Sequence, residues 1–387
     1  MSDIRKRAAC VAVLALALAA CGVDTKTGSN GTGLTPPSPE PTVVAGALVG
    51  VEPFATGNLT YETTITQVRQ DATAGAGTAG LRLGMFFEAA GNTTGSALPQ
   101  LTDASVQSAV RGPVASVDVP GGRFRVASLV FNVDANTIWD GIAGLAGLAA
   151  GQSVEVHGLP VIEARAVVAT RVTLVAPPAD GRITIAARID QSTAAGFVLA
   201  GLSVAAPVSV SASPVSLAGS RARVTGALVE SANAIVPDHI ELLPEYPAAS
   251  GARVELEGIV LSVDNTGGFR LRTPARDIDV TTIPAGPAII APGVRARVLG
   301  RANGPNAVVP QFVGVVAPGQ PIAYRVTGPV SEFVSLAQLR VRGEPVDLTA
   351  AAIQGGTAAD IVNGKRLTVT GTAGPGALRV TEVTVLP

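Results

Sequence analysis

The sequence predicts an all-β chain, an array of about five small barrels that follows an export signal and a flexible linker. Three observations predict it. Two glycines stand seven residues apart five times, at Gly84/Gly91, Gly151/Gly158, Gly219/Gly226, Gly293/Gly300 and Gly364/Gly371, with successive offsets of 67, 68, 74 and 71 residues. Between the glycines of each pair, residues alternate with period two, as in a strand with one buried face. Elsewhere, Val-, Ile- and Thr-rich runs are broken by Gly and Pro at short spacing, the punctuation of short strands and turns.

The chain opens with a basic cluster, Arg5-Lys6-Arg7, and an apolar run over 8–20. This has the form of a secretory signal and is too short for a membrane-spanning helix. Residues 1–20 are assigned to it. Its last residues and the one after, Leu18-Ala19-Ala20-Cys21, resemble a bacterial lipobox. That resemblance implies cleavage before Cys21 and acyl chains on its thiol and amine, which hold a soluble body on a bilayer at about 0.8 kcal/mol per buried methylene. Gly22 in place of Asp after the cysteine implies, by the same resemblance, sorting to the outer membrane, facing the periplasm or the cell surface. Residues 21–42 are rich in Gly, Ser, Thr and Pro and read as an extended tether.

Five units follow, at 43–107, 108–177, 178–246, 247–318 and 319–387. Each opens with a strand such as Val110-Arg111-Gly112-Pro113-Val114, followed by a second such as Arg123-Phe124-Arg125-Val126 and a third such as Leu129-Val130-Phe131-Asn132-Val133. A loop, the glycine-bracketed strand and a closing strand complete the unit. In the bracketed strand, Phe87, Val154, Ala222, Ala296 and Leu367 share one position and Ala89, Val156, Val224, Val298 and Val369 another, so both are expected to face a core. Glu88, Glu155, Arg223, Arg297 and Thr368 lie between them and are expected to face water. Closing strands such as Arg171-Val172-Thr173-Leu174-Val175 lead to proline-containing junctions near Pro177, Pro247 and Pro318. Five or six short strands in a unit of this size are best rolled into a partly open five-stranded barrel like an OB-fold, with small sandwich-like sheets second. The units are expected to be complete modules, although domains this small bury only about 60% of their unfolded surface and gain from packing together.

The pattern V-x-G-x-V-x-x-V, a strand, a Thr-containing loop, G-x-x-V-x-V-x-G and a closing A-x-x-V-x-V resembles an uncharacterised bacterial repeat, domain of unknown function 5666, often found in lipoproteins. The second unit carries it best, with Gly112, Thr137, Gly151, Val154, Val156, Gly158, Ala169 and Val172. The third departs most, with Ala187 where the others have the opening glycine. The resemblance extends over 43–387 and implies no activity.

Composition excludes several functions. Of 28 basic and 29 acidic residues, removal of 1–20 takes three and one, leaving a net charge of about −3. No basic stripe for nucleic acid is present. The two cysteines, Cys10 and Cys21, leave nothing for disulfides or a thiolate metal site, so no metal or cofactor is expected. His157 is expected on a solvated or edge face, and His239 at an outward position that Arg171, Phe312 and Glu382 fill in sister units. The run Asp134-Ala-Asn136-Thr-Ile-Trp-Asp140-Gly141 has too few donors at the wrong spacing for a calcium loop. Trp139 and the paired arginines Arg221/Arg223 and Arg295/Arg297 are the candidate ligand contacts, a stacking ring and outward charges suited to an anionic glycan or headgroup. The expected role is non-enzymatic: a membrane-anchored scaffold or binding array for an envelope protein or glycan. A receptor for an anionic glycan or metal ion is the alternative, and an enzyme comes last. Cys21→Ser is expected to release the protein from membranes in a fractionation assay, and retention would refute lipid anchoring.

Overall fold

The computed structural model describes residues 39–387 except 58, 63–64, 66, 72, 76, 96–97, 162–164, 179, 194, 206–216, 282–289 and 318. The signal, Cys21 and most of the tether lie outside the described residues. The last three tether residues were misassigned. Glu40, Pro41 and Thr42 already belong to a strand, Glu40–Ala47, and the Thr42 hydroxyl is buried against that of Thr93 at 2.8 Å.

Unit 2 shows the common plan. Its strands are Val110–Asp118, Arg123–Val126, Leu129–Asn132, Ser153–Pro160 and Ala166–Leu174. The first three pair antiparallel in order, the third runs parallel to the fifth, and the fourth joins the fifth back to the first. The order 1-2-3-5-4-1 closes a five-stranded barrel of the OB type. The same pairings close unit 3, unit 4 and unit 5.

The glycine pairs have a physical cause that recurs five times. The first glycine of each pair sits at positive φ, between 75° and 87°, where a side chain is strained. Its N–H caps the first strand of its own unit, as in Gly84 to Leu48 O at 2.7 Å and Gly151 to Val114 O at 2.8 Å. The second glycine stands at a bulge between the fourth and fifth strands. A Cβ there would meet a backbone carbonyl oxygen at 2.0–2.4 Å, for example Gln100 O opposite Gly91 and Val168 O opposite Gly158.

Unit 3 has Ala187 where the register places Gly46, Gly112, Gly258 and Gly328 in the others, as expected, but unit 1 departs most in topology. Its first, fourth, fifth and third strands are Glu40–Ala47, Phe86–Thr93, Gln100–Val106 and Gln67–Gln70. Between the first and third the chain instead makes three two-residue strands, Gly50–Val51, Phe54–Ala55 and Thr60–Tyr61. These leave the unit. Gly50 and Val51 pair in parallel with Arg325 and Val326 of unit 5. Thr42 to Ala45 pair in parallel with Arg253 to Leu256 of unit 4.

The first strand is therefore covered on both faces. Val44 enters a core shared with Val326, Leu367 and Val383 of unit 5, whereas Val43 and Ala45 enter the core of unit 4 with Val254 and Val298. The unbroken apolar run 43–49 is the composition of a strand buried on both faces. Each such Val contributes about 1.5–3 kcal/mol. Units 2 and 3 also join, through Ile185 opposite Val110 and a common core holding Phe124, Val154, Ile185 and Val224.

Units 2 to 5 are thus closed barrels, but the five units are not independent modules. Cleavage at the exposed Ala176–Pro177 junction should leave two fragments that co-elute in size-exclusion chromatography. Their separation without denaturant would refute the interlocked arrangement.

Candidate functional site

The core-facing positions of the bracketed strands are all buried, as expected. The opposite face is where expectation and structure part. Glu88 and Arg223, expected to face water, are buried, and so are Arg221 and Arg295. Arg221 is paired with Glu88 of unit 1. Arg223 reaches Glu241 at 3.0 Å and Asp71 of unit 1 at 3.5 Å. Arg295 and Arg297 both donate through Nε to Glu257 Oε1 at 2.9 Å. Alternation distinguishes the barrel interior from its outside, and here the outside of one barrel is covered by another.

His157 is likewise buried rather than solvated, between Gln107 O at 3.1 Å and Glu155 Oε1 at 3.3 Å. Trp139 is buried in the core of units 2 and 3 on a short strand, Ile138–Asp140, so its ring offers no stacking platform. His239 is exposed. None of these side chains converge on a common cavity.

Arg171, expected to be outward and variable, is the centre of the charged contacts and only 1% exposed. Its Nη2 donates to Asp140 at 2.6 Å, and its Nη1 to Glu344 of unit 5 at 2.8 Å and Leu83 O of unit 1 at 3.0 Å. Glu344 in turn accepts the Leu83 N–H at 2.7 Å, and Asp140 accepts Arg340 of unit 5 at 3.0 Å. Burial pulls the Arg171 guanidinium down, but Glu344 and Asp140 outweigh it and hold it above its ordinary value. Glu257 is the converse case. Burial pushes it up, while Arg295, Arg297 and the Ala47 N–H hold it below the usual carboxylate range.

The calcium-like run around Asn136 is a clamp. Asn136 Nδ2 donates to Gln320 O at 3.0 Å, its Oδ1 accepts Ile322 N–H at 2.7 Å, and its carbonyl accepts the Tyr324 hydroxyl at 2.8 Å. Among the described residues there is no group of three or more His, Cys, Asp or Glu able to hold a metal ion.

The clamp and Arg340 set two units beside a cleft of about 710 Å³. One wall is Gly141, Ile142 and Ala143 of unit 2. The other is the second and third strands of unit 5, Gln338–Val341 and Glu344–Asp347, with the hairpin at 332–337 and the loop at 375–377. Glu332 has φ of 49° inside an irregular stretch of the hairpin pairing. Asn363 Oδ1 accepts the Phe333 N–H at 3.0 Å, and the adjacent Val334 is 69% exposed at the cleft. The charges at the wall neutralise each other, Glu332 on Arg340 at 3.0 Å. Sequence reading missed this cleft. Its signal is Phe333-Val334-Ser335-Leu336, standing where units 2 and 4 have Pro120-Gly121-Gly122 and Thr266-Gly267-Gly268 in the same hairpin.

Residues 111–173 match the family model described as Domain of unknown function (DUF5666). The second barrel is a DUF5666 domain. The match runs from the first strand of the unit into its fifth, so the DUF5666 boundaries and the closed barrel coincide. No curated protein matches the chain.

Two outcomes test the charged contacts. Arg171→Ala removes the guanidinium paired with the buried Glu344 carboxylate and is expected to cost about 3–5 kcal/mol in denaturant unfolding. Glu257 contributes its full stability above the unfolded carboxylate value of about 4.3 and loses it as pH falls through its lower folded value. Melting temperature should therefore drop on acidification below about pH 4.3, and less so in Glu257→Gln.

Proposed function

We propose that the protein is a non-enzymatic, lipid-anchored cell-envelope protein. On this reading it presents one interlocked five-barrel body, and units 1, 3, 4 and 5 are divergent copies of the DUF5666 domain. The observation that carries the binding role is the position of the cleft. It lies on the strand 2–3 side of unit 5 between its first hairpin and its last loop, the side on which OB-type barrels take extended ligands. Asp140 and His157 of unit 2 are engaged by protein partners.

The cleft chemistry favours an extended, weakly charged segment of another envelope protein. Ile142, Phe333, Val334, Pro345 and Pro375 offer apolar surface, and Ser335, Gln338 and Asn363 offer polar contacts. An anionic glycan held by the four arginines is disfavoured by their pairing inside the body.

A photo-crosslinking residue at position 334 is expected to capture a discrete partner in cells, and the same residue at exposed Val236 on unit 3 is not. Phe333→Ala should weaken that capture about 10-fold or more, as loss of an aromatic anchor does. Equal capture from both positions would refute the cleft as the binding site.

A further inference from the structure

An asparagine followed by glycine can modify itself. The glycine nitrogen attacks the side-chain carbonyl carbon of the asparagine, and no Cβ on the glycine hinders the approach. The chain holds this dipeptide three times, at Asn30-Gly31, which lies outside the described residues, Asn303-Gly304 and Asn363-Gly364. A nitrogen and a side chain that are each held in a hydrogen bond must first break those bonds to meet, so the surroundings decide which pair reacts. At Asn363-Gly364 both are held. The Gly364 N–H donates to Val330 O at 2.9 Å, and Asn363 Oδ1 accepts the Phe333 N–H at 3.0 Å. The two Asp-Gly pairs, able to close the same ring, are also engaged. Asp140 accepts Arg171 and Arg340, while Asp180 accepts Arg182 and the Gly181 N–H donates to Pro178 O at 3.1 Å.

Asn303-Gly304 differs in each respect. It lies in the turn of unit 4 between the strands Arg295–Ala302 and Ala307–Val316. Asn303 is exposed, and among the described residues neither its side-chain amide nor the Gly304 N–H has a hydrogen-bond partner. Gly304 has φ of 97°, and the space where a Cβ would stand is open. The rest of the turn is anchored. The Asn303 N–H donates to Ala307 O at 2.8 Å, Asn306 O accepts the Asp279 N–H at 2.8 Å, and Arg276 Nη1 donates to Pro305 O at 3.4 Å.

We propose that Asn303 is a site of self-modification in the folded protein, by cyclisation onto Gly304 and hydrolysis to an acid. The Gly304 nitrogen bonds to Asn303 Cγ, the Cγ–Nδ2 bond breaks, and the proton of the Gly304 N–H leaves with the amide nitrogen as ammonia. Water then opens the five-membered ring. Attack at Cγ gives aspartate, and attack at the main-chain carbonyl carbon gives isoaspartate. Each event adds one negative charge to the turn. Arg276, which reaches this turn at Pro305, has no carboxylate partner among the described residues, so the new charge arises near an unpaired cation.

The test uses the full-length protein, aged in mildly alkaline buffer both folded and in denaturant. Proteolytic digestion and mass spectrometry then read the amide-to-acid mass gain at each asparagine. In the folded protein, conversion at 303 is expected to run about 10-fold or more faster than at 363, where two hydrogen bonds must open first. In denaturant the two rates should converge, because the difference belongs to the fold. A folded-state rate at 303 no greater than that at 363 would overturn the proposal. So would an Asn303 that stays intact in the folded protein while the denatured chain converts.

Discussion

The structure depends on the double burial of one strand, Glu40–Ala47. In units 2 to 5 the first strand pairs with both the second and the fourth strands of its own barrel. In unit 1 it pairs with its own fourth strand and, on the other side, with the first strand of unit 4. An exposed strand edge is a template for unwanted pairing, and here the edge is covered from within the chain. Because the next strand, Gly50–Val51, is given to unit 5 in the same way, unit 1 cannot separate from either neighbour without exposing backbone groups.

Once the barrels touch, their outer faces need to distinguish one neighbour from another. Units 2 to 5 share one topology and unit 1 keeps its bracketed and closing strands, so discrimination falls to side chains at equivalent positions. The outward position in the middle of the bracketed strand holds Glu88, Glu155, Arg223, Arg297 and Thr368 in the five units. Glu88 faces Arg221 of unit 3, Arg223 faces Asp71 of unit 1, and Arg297 lies on Glu257 beneath the N-terminal strand. Buried ion pairs add little net stability against apolar isosteres, but a wrong neighbour would leave a buried charge unpaired. The unequal polar positions are explained as marks of which barrel sits where, not as remnants of a repeated site.

This also explains what was legible in the sequence. Period-two alternation and the glycine pairs revealed the strands, because bulge and cap geometry demand glycine at fixed places in each copy. Alternation carries one distinction, interior against exterior, and so Arg171, Arg221, Arg223, Arg295 and His157 were read as facing solvent. A signal for the correct reading was present. After residue 20 all basic residues except Lys26 and Lys365 are arginine, the cation suited to buried, geometrically fixed pairs, whereas lysine suits a hydrated surface. The run 43–49, apolar without interruption, marked a strand buried on both sides rather than the start of a half-exposed one. The cleft was not legible because its walls are about 190 residues apart in sequence, from Gly141–Ala143 to Glu332–Ala337.

The cleft is consequently a property of the assembled body. Neither wall alone encloses it, and the contacts that set the walls are the buried ones: Asn136 on the segment leading into unit 5, Arg171 on Glu344, and Asp140 between Arg171 and Arg340. Arg340 belongs to both systems, since it lines the cleft and closes the Asp140 contact. Any opening between units 2 and 5 dissolves the cleft and exposes charged groups at the same time, so the cleft exists only in the fully packed state. On the proposed binding role, a ligand seated there would draw its affinity partly from this preorganisation, because the cost of fixing both walls has already been met in folding. On that role, residues such as Asn136 and Arg171 would support binding without touching the ligand, because they hold the two walls in place.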